Sequence, residues 1–151
     1  MALSTETMKM AAIAGINTAD ATDKMTAALR GFNMELNETS AQRIADVYSE
    51  LAAITAADVD EISTAMTKTA SIASSAGMEF ETTAAFLSQI IETTRESAET
   101  AGTAMKTVIA RFQELKKAPS EIGEIDGEIV DANAIETALR SVGVALRDSS
   151  G

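Results

Sequence analysis

The sequence predicts a mainly α-helical fold: a compact domain of six or seven helices with a short β-strand near the C terminus. Three observations predict it. Apolar residues recur at three- and four-residue spacing through most of the 151 residues, the mark of helices with one buried face. Cap-type residues and glycines punctuate that pattern at intervals of about one helix length. The apolar class makes up 46% of the chain and 29 of its members are Ala, the best helix former and a weak core filler. Helices built this way must approach closely over small side chains.

Each element follows from its own signals. Met8, Ala11, Ala12 and Leu3 form a first stripe that stops at Gly15, which predicts a helix over 2–14. Thr18 reads as the N-cap of a second helix over 19–32, with Ala21, Met25, Ala28, Leu29 and Phe32 on one face and Gly31 and Asn33 weakening its end. Asn37 opens a third, carrying Ala41, Ile44, Ala45, Tyr48, Leu51 and Ala52 through Ile54. Asp58 and Glu61 have the spacing of a capping box ahead of Val59, Ile62, Met66, Ala70 and Ala73, a fourth helix ended by Gly77.

Phe80, Ala84, Leu87 and Ile91 mark a fifth helix over 80–93. Ala98, Ala101, Met105, Val108, Ile109, Phe112 and Leu115 mark a sixth over 96–117. Glu96 and Glu99 at its start and Lys116 and Lys117 at its end oppose the helix dipole. Pro119 closes it. Residues 118–133 read as an exposed acidic loop, since six acids and no base lie between 118 and 136. Asn133 and Glu136 suggest a last capping box for a helix bearing Ile135, Leu139 and Val142. Val144-Ala145-Leu146-Arg147 then reads as a strand entering the turn residues Asp148 to Gly151. The expected organisation is a helical core over 1–117, the acidic loop, and a short helix with a truncated hairpin strand over 134–151 of the same domain. A hairpin cut there implies a longer parent protein.

Composition excludes much chemistry. The chain has no Cys and no His, so thiol nucleophiles, zinc-thiolate sites and imidazole bases are absent. Its formal net charge of −11 disfavours nucleic-acid backbone and anionic membrane. The longest nearly uncharged apolar run, Met10 to Ile16, is far below the ~20 residues of a membrane span. The acidic stretch 121–136 fits no calcium loop in either register, from Asp126 or from Asp131. Asp58 with Asp60, and Glu79 with Glu81, are better explained by helix starts than by acid-base work. Lys106 and Arg111 are too few to form an anion patch. No phosphate-loop glycine spacing occurs. Gly102, inside a helical pattern, points to a close helix contact, and the eight Met residues read as core filler. No catalytic, cofactor or metal residue is assigned.

The order of the segments resembles a known family. Residues 21–32 (Ala-Thr-Asp-Lys-Met-Thr-Ala-Ala-Leu-Arg-Gly-Phe), Ala45-Asp46-Val47, Val59-Asp60-Glu61-Ile62, residues 72–78 and residues 101–112 are similar to the core region of phage tail tape measure proteins of the TP901 type. So is the apolar stretch Leu139 to Asp148. The departure is at 118–136, longer and more acidic than the family's connection. The resemblance implies a structural and assembly domain of a phage or prophage tail, with a role in tail length. It implies tail tube, tail chaperones, tail tip and further copies as partners, and location inside the virion tail after assembly in the host bacterial cytoplasm. It carries no catalytic residue. Gly15, Gly31, Gly77, Pro119 and Gly143 interrupt any single rod, so a compact domain is expected, one that would have to reorganise inside a tube. Two other readings stand beside it: a helical binding module whose acidic 118–136 loop takes a basic partner, and an enzyme or metal protein using carboxylates alone.

Overall fold

The computed structural model describes residues 3–117, 123–125, 128–130 and 137. Six helices account for most of them: α1 (Leu3–Ala14), α2 (Thr18–Gly31), α3 (Glu38–Ile54), α4 (Val59–Ser75), α5 (Phe80–Thr94) and α6 (Ala98–Lys117). The mainly helical architecture is the expected one. The chain divides into two compact units, Met1–Thr107 and Val108–Gly151. α6 contributes to both.

The first unit is built around α4, which packs on α2, α3 and α5, while α1 lies against α2 and α3. Eight residues of α4 are buried, from Val59 to Ala73, including Ala65, Thr69 and Ala70. Two contacts explain how so many helices share one neighbour. Gly31 lies against Ala70, where an added Cβ would stand 2.4 Å from the Ala70 Cβ and 3.2 Å from the Ser71 nitrogen. Gly102 lies against Ala65, where a Cβ would meet the Ala65 carbonyl oxygen at 2.5 Å. Small residues thus let backbones touch on two sides of α4, which the Ala-rich composition anticipates.

Larger side chains fill the remaining space. Met25, Leu29, Ile44, Tyr48, Ile62, Met66 and Leu87 are fully buried. Phe32 meets Phe80 edge-on at 5.6 Å, and Tyr48 meets Phe80 tilted at the same separation, geometries that suit the ring quadrupoles.

Several expectations need correction. Among the described side chains of α1 the buried ones are Glu6, Thr7, Met10 and Ala11, whereas Met8 is 53% exposed. The stripe is rotated so that Glu6 enters the buried face, its side chain only 5% exposed and its carboxylate paired with Lys9 at 2.6 Å. The α2 cap is Asn17, not Thr18: its side chain accepts from the Asp20 amide at 2.9 Å. α6 starts at Ala98, so Glu96 precedes it, and Ser97 accepts from the Thr100 amide at 3.2 Å. Part of the stretch read as a loop is paired: β1 (Gly123–Ile125) and β2 (Glu128–Val130) run antiparallel, with Ile125 opposite Glu128. Asp126-Gly127 between them is the residue pair that two-residue hairpins favour. The expected helix after Asn133 and the strand 144–147 lie outside the described residues.

Candidate functional site

Three of the four carboxylates weighed as candidates, Asp58, Asp60 and Glu81, are engaged in caps or ion pairs. Asp58 accepts from the Glu61 amide at 2.8 Å while Glu61 accepts from the Asp58 amide at 3.0 Å, a complete capping box. Asp60 pairs with Lys24 of α2. Glu79 precedes α5 without a side-chain cap, and Glu81 in its first turn bonds Arg43 of α3 at 2.5 Å. That guanidinium holds the Glu81 carboxyl below the usual carboxylate range, and Glu81 raises Arg43 in turn. Each anticipated carboxylate pair is therefore split between a helix start and an inter-helix ion pair, and neither is brought together as an acid-base couple.

The two basic candidates on α6 lie apart from these pairs, and the buried hydroxyls are committed within the fold. Lys106 is exposed on α6, and Arg111, further along the same helix, lies 3.9 Å from Glu114. Buried hydroxyls bond backbone carbonyls: Ser63 to Asp60, Thr83 to Glu79, Ser88 to Ala85. Thr69 Oγ1 donates within reach of two carbonyls, Ala65 at 3.2 Å on its own helix and Gly102 at 3.0 Å on α6. Tyr48 is fully buried, burial pushes its phenol far up, and its Oη has no hydrogen-bond partner among the described residues. A phenol in that setting is a core residue. Among the described residues no cluster of acids could hold a metal ion. None of their helices is long and apolar enough to cross a membrane.

An open cleft of about 290 Å³ lies between the C-terminal ends of α2 and α4 and the starts of α3 and α5, lined by Phe32, Met34, Arg43, Ser74, Met78 and Glu79 among others. Sequence reasoning did not find it, because its lining comes from four segments with no shared motif. It presents the Arg43 guanidinium, already paired with Glu81, the Glu79 carboxylate and the Ser74 hydroxyl, and the chain has no imidazole or thiol to place beside them.

Helices packed through glycine and alanine, with carboxylates engaged in caps and ion pairs, define a closely packed helical domain. The family model described as "Phage-related minor tail protein" matches residues 1–150, and the chain belongs to that family. It is also 30% identical over 134 residues to a protein named "Tape measure protein" from Pneumococcus phage Dp-1, a match covering 88% of this chain. The chain spans about a tenth of that relative's length, 11%. No solved structure matches.

Proposed function

We propose that the chain is a structural domain of a phage or prophage tail tape measure protein, contributing to tail assembly and to setting tail length, without enzymatic activity. The observation that carries this reading is the family match across residues 1–150 together with the similarity to a phage tape measure protein. The packing supports it, because Asp58, Asp60 and Glu81 already serve as cap or salt-bridge partners. Its partners are then other tail components, namely tube, tail chaperones and tail tip, and copies of itself. It resides in the virion tail after assembly in the host cytoplasm. Shortening or lengthening the parent gene outside this domain, with tails measured by electron microscopy, tests the reading: tail length is expected to follow gene length, and unchanged tails would refute it.

The acid-only composition between 118 and 136 favours a second reading, a module that binds a basic partner there. Neutralising Glu121, Glu124, Glu128 and Glu136 to Gln should then abolish capture of a tail component that the unmodified chain retains.

A further inference from the structure

Where this chain needs a left-handed residue after a helix, it uses Gly15 (φ 68°), Gly77 (φ 80°) or Asn33 (φ 53°), types that tolerate it. Between α5 and α6 the same conformation falls on Arg95 (φ 57°, ψ 21°), which costs a residue with a Cβ roughly a factor of ten in equilibrium. The connection is only Arg95-Glu96-Ser97, all three exposed, with neither Gly nor Pro. Each of them is able to be helical.

The flanking buried residues keep one phase across the break. Ala84, Leu87 and Ile91 of α5 and Ala98, Ala101 and Met105 of α6 are buried. These six follow one another at steps of three, four, seven, three and four residues. This is a seven-residue seam with Thr94 at the position between the two halves. A continuous helix would therefore present both halves on one side.

We propose that residues 94–97 are the hinge of a domain swap. Arg95 passes from the left-handed to the right-handed region, α5 and the first half of α6 join into one helix over 80–107, and that half of α6 docks on α4 of a second copy. A helix of that length extends ~42 Å, which carries Gly102 away from its own α4. The second copy is the matching occupant because the docking surface is this chain's own. Gly102 fits Ala65 at backbone contact, and Thr69 Oγ1 donates to the Gly102 carbonyl. Reciprocal exchange restores both contacts in each copy, as in domain-swapped dimers generally, and short hinges under strain favour it. Opposing it are the lost Ser97 cap on α6 and the entropy of association. The inference rests on this hinge and seam, independently of the tail reading.

The test is sedimentation of the 151-residue chain and its variants after refolding at rising concentration. Arg95→Gly removes the strain in the broken form and should weaken dimerisation by roughly a hundredfold, about ten for each of two hinges. Arg95→Ala with Ser97→Ala keeps a Cβ at the left-handed position, deletes the cap and favours helix through the hinge, so it should strengthen dimerisation. In mixed labelled and unlabelled dimers, isotope-filtered nuclear Overhauser effects should connect Ala65 of one copy with Gly102 of the other. Thermal melts confirm that each variant is folded. The proposal is overturned if the folded double variant stays monomeric at millimolar concentration, if the two variants dimerise equally, or if the dimer lacks the Ala65 to Gly102 connection between copies.

Discussion

Tyr48 carries a hydroxyl into the interior of the first unit and leaves it without a partner among the described residues. A buried unsatisfied polar group costs roughly 1–3 kcal/mol, and Tyr48→Phe deletes it while keeping the ring against Phe80. The variant should melt at the same temperature as the parent or higher, followed by circular dichroism. Gly102 gives the opposite sign. Gly102→Ala places a methyl group 2.5 Å from the Ala65 carbonyl oxygen, so the helices must separate, at a cost of about 1–3 kcal/mol as overpacking generally exacts. A gain in stability at Gly102→Ala, which helix propensity alone would predict, would contradict the close approach. Gly102 was legible in sequence because a glycine inside a helical stripe asks for a reason. The orphaned hydroxyl was not, since periodicity places Tyr48 on the buried face and is silent about what meets its Oη.

At the scale of elements, the caps that use side chain and backbone together were the readable ones. Asp58 and Glu61 announce α4 by spacing, and Asp58→Ala should lower stability by about 1 kcal/mol, measured by denaturant unfolding. Asn17 and Thr18 are both good caps, and only the hydrogen bond to Asp20 separates them. Ser97 and Arg95 left no comparable signal: an arginine in a left-handed turn is chosen by the packing of α5 and α6 on α4, a tertiary effect that overrides local preference. The α1 face was misplaced for a related reason, as Glu6 and Thr7 count as polar in any pattern yet are buried. The hairpin was missed because the acids of 118–136 make the stretch resemble a solvated loop, although the sequence Asp-Gly at 126–127 is a strong hairpin signal.

The Arg43–Glu81 bridge ties α3 to α5, and its pH dependence has a definite sign. Arg43 holds the folded Glu81 carboxyl below its ordinary value, so the bridge's contribution is present above the usual carboxylate range. It is lost as pH falls through the lowered folded value. The side chains are 52% and 40% exposed, so solvent screening keeps the effect small. Glu81→Gln should flatten part of the acid-side loss of stability in a melting series from neutral to acidic pH, and an unaltered slope would show that the bridge is energetically idle.

For the molecule as a whole, the division at Thr107 makes a prediction of its own. Buried residues from Met10 to Met105 lie within the first unit, so a chain ending at Thr107 should still unfold in one cooperative transition. Loss of cooperativity would mean that the later residues complete that core. At this scale the sequence was read most fully: the order of the six described helices and the family follow from stripes, caps and motif order, while the division at Thr107 falls inside one unbroken helical stripe and leaves no mark in it.

The hydroxyls bonded within their own helices have a mechanical consequence. Ser49, Ser63, Thr83 and Ser88 satisfy themselves on nearby carbonyls, so peeling one helix from another leaves none of these four groups stranded. Tension applied along the chain would then work against apolar packing, the Lys24–Asp60 and Arg43–Glu81 pairs and the Thr69 to Gly102 bond, and not against these four hydroxyls. Such a body should open at low force once those few cross-helix ties give way, because no ladder of hydrogen bonds between helices has to be sheared.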